Sequence, residues 1–400
     1  MLPRDSWAIP AADAVAHPPD PADLNTRPWV VIWEMTQACD LACRHCRASA
    51  LAHRHPGELT TSEGYRLLRQ IAALQPAVLV ITGGDPLLRP DLFELAAYAA
   101  GLGLDVALTP SGTPNLNAAA LERIQAAGVN RIAISLDGAT AESHDRFRGV
   151  SGSFAITLAA ARTAGRIGLP IQVNTTATRS NRAELPALRD LLETLNIAMW
   201  SVFCVVPVGR ARAEEMLDAA ETEDLFALLY ATAARGRFLV RTTEAPHYRR
   251  FLRQRQAETH ATGPAFRWSR RNAPRGIGDG AGLVFISHLG EVFPSGFLPL
   301  SAGNVRQQDL GDIYRQSPLF AAIRDRDRLR GKCGDCEFRR ICGGSRARAY
   351  AMTGDYLASD PVCAYQPRAA AVALSGSPAA EPPGGRSALP GRVAAKEPHR

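Results

Sequence analysis

Three cysteines fall within the run Cys39-Asp40-Leu41-Ala42-Cys43-Arg44-His45-Cys46, just after an apolar segment from Val30 to Met35. That segment reads as a buried strand, which puts the cysteines on the loop leaving its end. An iron–sulfur cluster held by cysteine normally takes four thiolates. A local set of three leaves one iron of a four-iron cube open for a small molecule to chelate. Three thiolates with His45 would equally suit a structural zinc ion.

A second set lies far downstream, Cys333-x2-Cys336-x5-Cys342 followed by Cys363. Cys204, inside an apolar run, is left over and reads as a small core residue. Disulfides are not indicated, because Met1-Leu2-Pro3-Arg4-Asp5 opens no apolar signal segment. No stretch approaches the roughly 18 apolar residues of a membrane helix. Paired spacings in a reducing compartment favour metal. The expectation is a soluble, cytoplasmic metalloprotein with no membrane partner.

The formal charge of +7 is carried almost wholly by arginine, since Lys332 and Lys396 are the only lysines. Arginine suits planar, bidentate recognition of carboxylate or phosphate. Spread over 400 residues, this modest excess is no nucleic-acid signature. Residues 1–27 and 369–400, rich in Ala and Pro without periodicity, read as disordered ends. Between them the expected order is a barrel over 28–240, a basic linking segment over 241–285 and a cysteine-rich domain over 286–368.

Apolar, β-rich runs recur at 30–35, 77–82, 105–109, 131–136, 171–175 and 200–206, with amphipathic helical stretches between them. Helix-start signals stand at Thr61-Ser62-Glu63, Pro90-Asp91 and Asn115. Alternation of this kind predicts an α/β fold of parallel units, a partial (β/α)6 barrel with its chemistry at the C-terminal strand ends. Polar residues recur at those ends: Thr82-Gly83-Gly84-Asp85-Pro86, then Ser111, then Ser135 and Asp137, then Asn174 and Thr176.

On these residues the chain resembles the radical S-adenosylmethionine (SAM) enzymes. The spacing of Cys39, Cys43 and Cys46 matches throughout, and Gly83-Gly84-Asp85-Pro86 is close to the family's Gly-Gly-Glu-Pro, with Asp85 replacing Glu. The resemblance implies a SAM-chelating [4Fe-4S] cluster on Cys39, Cys43 and Cys46. It implies that Gly83, Gly84, Asp85 and Pro86 meet the amino group of SAM, and that Ser135 and Asp137 meet its ribose or carboxylate. Ser111 and Asn174 hold equivalent polar edges. The implied activity is reductive cleavage of SAM to a 5′-deoxyadenosyl radical, which abstracts hydrogen from a substrate. An electron donor such as flavodoxin or ferredoxin is implied as a partner.

The C-terminal set resembles the SPASM group, whose full domain has seven cysteines and two auxiliary clusters. Ser295 and Arg346 stand where that pattern has cysteines. The missing positions ligate the first auxiliary cluster, so the resemblance implies one auxiliary [4Fe-4S] cluster on Cys333, Cys336, Cys342 and Cys363. Zinc is the alternative for four cysteines. Ala245-Pro246-His247-Tyr248-Arg249-Arg250, with Cys342 to Tyr350, resembles the branch that modifies haem precursors. On that likeness His247, Arg249 and Arg250, ahead of Arg253, Arg255, Arg267, Arg270, Arg271 and Arg275, would grip the carboxylates of a tetrapyrrole. A solvated arginine face, maturation of a short peptide and a non-catalytic metal scaffold are the competing readings.

Overall fold

Strand alternation builds the barrel. In β1 (Val30–Glu34), Val31 and Trp33 are fully buried on the outer face, while Val30 and Ile32 line the interior. β2 (Val78–Thr82) repeats the pattern, with Leu79 and Ile81 outward and Val78, Val80 and Thr82 inward. The computed structural model describes residues 23–260 and 277–368. β3 (Val106–Leu108), β4 (Val129–Ser135), β5 (Ile171–Ala177), β6 (Met199–Cys204) and β7 (Leu239–Thr243) follow, each parallel to the strand before it. β8 (Leu283–Ile286) pairs in parallel with the free side of β1. β9 (Glu291–Phe293) and β10 (Gly303–Asn304) extend that edge antiparallel, giving the order β10-β9-β8-β1-β2-β3-β4-β5-β6-β7.

The helices cover the outer face. Thr61–Ala73 buries Gly64, Leu67, Leu68 and Ile71, one stripe at helical spacing. Its cap is Thr60, one residue before the expected start, in a capping box closed by Glu63. The helix Ala118–Ala126 is capped by Asn117 rather than Asn115, whose amide instead donates to Asp40 at 3.2 Å.

The α/β class and the parallel strands are those the sequence implies. β7 and β8 are additions to the six expected strands. β7 follows an apolar run of only three residues, Phe238-Leu239-Val240, and ends in Arg241-Thr242-Thr243, while β8 is only four residues long. Residues 241–285 are therefore not a plain linker, since they also hold the helix Tyr248–His260. Among the expected disordered ends, 1–22 and 369–400 lie outside the described residues. Asp23–Thr26 forms a helical turn, and Tyr314 Oη donates to its Leu24 carbonyl at 2.5 Å. Arg267, Arg270, Arg271 and Arg275 also lie outside the described residues. Among the described residues no helix is long and apolar enough to cross a membrane.

A buried ion pair within the C-terminal region fixes the arginine that ties that region to the barrel. Arg348 and Asp360 are both fully buried, with Nη2 to Oδ2 at 2.7 Å. Arg348 Nη1 also donates to the Glu244 carbonyl, just beyond β7, at 2.8 Å. Burial alone would raise the Asp360 carboxyl, but Arg348 beside it holds it well below the usual carboxylate range. Because the folded-state value is depressed, this stabilisation is in place above the ordinary carboxylate range, declines as pH falls below that range, and is gone once pH has fallen through the depressed value. Asp360→Ala leaves a buried guanidinium unpaired and should cost about 3–5 kcal/mol, read from the urea midpoint at neutral pH. A loss below about 1 kcal/mol, the range of an exposed pair, would contradict the assignment.

Candidate functional site

The loop after β1 is closed by Cys39 N donating to Leu51 O at 2.8 Å and Leu51 N donating to Gln37 O at 3.1 Å. Each of its three sulfurs has an N–H donor. Leu41 N reaches Cys39 Sγ at 3.4 Å, Ala50 N reaches Cys46 Sγ at 3.5 Å, and Arg148 Nη1 reaches Cys43 Sγ at 3.7 Å. Donors to sulfur are what cluster thiolates use to stabilise their charge. As a free thiol Cys39 is pushed up to about 11 by burial, so holding it as thiolate calls for a bound cation. Among the described residues no three His, Cys, Asp or Glu side chains converge tightly enough for a single metal ion. A cube spreads its ligands over separate irons and does not need that convergence. His45 does not complete a zinc set: its ring lies 4.4 Å from that of Phe147, and burial holds it well below the usual range, neutral.

Neighbouring strand ends hold this loop. The backbone of Gly84 packs so closely that a Cβ there would lie 2.3 Å from Ala38 O and 2.6 Å from Gln37 O. After β6, a Cβ on Gly209 would meet Arg47 O at 2.3 Å, and its φ is +65°. Arg210 Nε donates to Cys43 O at 2.9 Å and its Nη1 to Ala50 O at 3.2 Å. From the loop, Arg47 pairs with Glu34 at the end of β1 and donates to Gly296 O at 3.2 Å. His288 Nδ1 lies 2.9 Å from the other Glu34 oxygen.

One cavity of about 1350 Å³ runs through the barrel. Cys39, Cys43 and Cys46 open onto it, as do Gly83, Gly84, Ser111, Ser135 and Asn174. Ser111 Oγ donates to Gly84 O at 3.0 Å and sits 3.6 Å from Cys39 Sγ. Asn174 Oδ1 accepts from Gln172 Nε2 at 2.7 Å.

Asp85, Pro86 and Asp137 stand behind this wall rather than on it. Asp85 is fully buried and accepts from Leu87 N at 3.2 Å, Ser111 N at 3.3 Å and Thr113 Oγ1 at 2.9 Å. It braces the β2 end against the β3 end. Asp137 accepts from Thr176 N at 2.7 Å and pairs with Arg148, so Arg148, not Asp137, faces the cavity. Sequence reasoning did not single out Arg148, Arg210 or Glu34, because their partners are distant in the chain.

The C-terminal cysteines also come together. Cys333, Cys336, Cys342 and Cys363 line one small pocket, and Cys342 additionally reaches the large cavity. Gly344 N donates to Cys342 Sγ at 3.4 Å and Asp360 N to Cys333 Sγ at 3.4 Å. Burial pushes the Cys342 thiol up to about 12. His247 and Arg250, expected to meet substrate, instead line this cysteine pocket. His247 is fully buried beside Phe226, with ring centroids 4.8 Å apart, and Arg250 pairs with Glu223. Arg249 does face the large cavity, but it donates to Ile341 O at 3.1 Å and to Ile277 O. The expected carboxylate grip on His247, Arg249 and Arg250 is thus not what the geometry assembles.

A three-sulfur loop at the mouth of a parallel barrel, cradled by a double glycine, defines an iron–sulfur enzyme that presents an open iron to a chelating cofactor. The chain belongs to the Radical SAM superfamily, whose signature covers residues 33–192. It is therefore an enzyme of SAM and a [4Fe-4S] cluster. It is 38% identical to an AdoMet-dependent heme synthase of Methanosarcina barkeri, over 86% of this chain and 98% of that one. It is 33% identical to a pre-heme d1 synthase of Dinoroseobacter shibae, over 88% and 90% of the two chains. The crystal structure of Streptococcus suis SuiB bound to S-adenosylmethionine shares the fold, with a TM-score of 0.66 at 18% identity over 85% of this chain and 78% of that one.

The glycine cradle yields a direct test. Gly84→Ala should force the β2 end off the cysteine loop and lower 5′-deoxyadenosine formation on the order of tenfold, equivalent to about 1.4 kcal/mol. Gly101→Ala, where an added Cβ meets nothing within 4 Å, should leave it unchanged. Equal effects of the two substitutions would contradict the cradle.

Proposed function

We propose that this radical SAM enzyme acts on a carboxylated tetrapyrrole of the haem-precursor type, with Cys39, Cys43 and Cys46 holding the SAM-binding cluster. The observation that carries the reading is the cavity. Ordinary ligand pockets span about 300–1,000 Å³, whereas this one is about 1350 Å³ and reaches from the first cysteine set to Cys342. That is room for SAM and a second large ligand. Several guanidiniums stand on its wall, and although most of them are held by partners within the protein they give that wall a positive character that suits an acidic substrate. The names of the relatives, a heme synthase and a pre-heme d1 synthase, point the same way.

When bound on an open iron and reduced by one electron, SAM supplies a 5′-deoxyadenosyl radical that abstracts hydrogen from substrate. The chain's own part is to orient and to exclude. Gly83 and Gly84 let the β2 end approach the cysteine loop, and Ser111, Ser135 and Asn174 offer hydrogen bonds along the wall. The inward aliphatic side chains Val30, Ile32, Val78 and Val80 keep the barrel floor dry. Cys333, Cys336, Cys342 and Cys363 would hold an auxiliary [4Fe-4S] cluster, a reading supported by their shared pocket and their N–H donors to sulfur. Four protein ligands leave no open iron there, which suits passing on an electron after the substrate radical forms. The reductant would be of the flavodoxin or ferredoxin class, and the thiol-rich sites suit the cytoplasm.

Anaerobic reconstitution should give roughly eight irons per chain, four for each cysteine set. Iron coproporphyrin III should then bind at micromolar concentration, followed by its absorbance shift. Stoichiometric zinc without reconstitutable iron would refute the cluster assignment. Absence of tetrapyrrole binding, with turnover of a short peptide, would move the substrate to the peptide-maturase reading.

A further inference from the structure

A carboxylated substrate needs a guanidinium that the protein has not already used. Most of those on the cavity wall are committed. Arg47 pairs with Glu34, Arg148 with Asp137, and Arg131 with Asp105 at 2.9 Å. Arg249 donates to two backbone carbonyls, and Arg346 donates to Tyr356 O at 2.8 Å and Ala358 O at 2.7 Å. Arg241 makes contacts of its own, and Arg237 is solvent-exposed.

Arg326 is different. It lines the cavity, and among the described residues its guanidinium makes neither a hydrogen bond nor an ion pair. The fold makes room for it there. A Cβ on Gly343, where φ is +71°, would lie 2.6 Å from Nη1 and 2.9 Å from Cζ, and one on Gly278 would lie 3.7 Å from Nη2. The fork thus rests between two glycine backbones, next to Cys342. Burial and the like charge of Arg346 both oppose its charge. Asp279 attracts it, but Oδ2 of that carboxylate already accepts from Arg346 N at 2.9 Å and Ala347 N at 3.1 Å. A guanidinium keeps its proton in proteins, so it remains a half-buried cation with free donors.

We propose that Arg326 is the carboxylate-binding residue of the cavity, holding an acid group of the substrate beside the C-terminal cysteines. This rests on the tetrapyrrole reading above. A planar fork with two parallel donors matches a carboxylate, and such a grip sets which end of a large ring lies toward Cys342. Had Arg326 served only to offset the charge of Cys333 and Cys342, its removal would not distinguish an acid ligand from its ester.

The test uses the reconstituted full chain, titrated by absorbance with iron coproporphyrin III and with its tetramethyl ester. The unaltered protein should prefer the acid. Arg326→Gln should weaken acid binding by about tenfold while the ester changes by less than about twofold, and Arg326→Lys should fall between. Iron content and the thermal midpoint report whether each variant is folded. Acid binding unchanged in Arg326→Gln, or acid and ester weakened alike, would overturn the assignment. If the unaltered protein binds neither compound, the tetrapyrrole reading itself fails and this inference with it.

Discussion

The loop that carries Cys39, Cys43 and Cys46 has no regular secondary structure and only a small apolar cluster, built on Cys39, Leu41 and Cys43. Its shape is therefore imposed by backbone contact from the strand ends around it. Gly84 approaches from β2 and Gly209 from β6, each so close that a methyl group would overlap a carbonyl oxygen. Arg47 ties the loop to β1 through Glu34, and His288 ties the same carboxylate to the β8–β9 turn. Every such contact comes from a C-terminal strand end or the turn beside it. The barrel has to close in register before the three sulfurs can share one face of the cavity.

The same logic explains what could be read from the residues and what could not. Strand alternation and the two cysteine spacings are local, so the parallel α/β barrel and the two sulfur sites were legible. Gly83, Gly84, Ser111, Ser135 and Asn174 follow from their places at strand ends. Asp85 and Asp137 look equally exposed to the interior in sequence, but their carboxylates are taken by backbone N–H groups and by Arg148. His247 and Arg250 sit at the cysteine pocket through contacts from other parts of the chain, the Phe226 ring and the Glu223 carboxylate. Arg326 carried no local signal except the glycine after Cys342, which is where its guanidinium rests.

The positions that depart from the seven-cysteine pattern are filled by a polar network rather than left as holes. Ser295 Oγ donates to Glu244 at 3.3 Å, and Ser345 Oγ donates to its other oxygen at 2.5 Å. Burial and the nearby Asp279 raise the Glu244 carboxyl well above its usual range, which favours its neutral form. Glu244 also sits at φ +55°, a left-handed conformation that costs on the order of 1–3 kcal/mol for such a residue. Arg346, fully buried, occupies the later position and reaches Cys333 Sγ at 3.8 Å. A satisfied network of this kind is rigid. It keeps the wall between the two sulfur sites polar and the cavity continuous.

The two proposed clusters would differ in kind: the one on the first cysteine set leaves an iron open, and the one on the second set is closed by four protein ligands. Electron paramagnetic resonance of the reduced, reconstituted protein addresses this directly. Adding SAM should shift the signal of the cluster on Cys39, Cys43 and Cys46 and leave that of the cluster on Cys333, Cys336, Cys342 and Cys363 unchanged. A SAM-dependent shift that survives replacement of Cys39, Cys43 and Cys46 by alanine would place the open iron elsewhere and contradict the account.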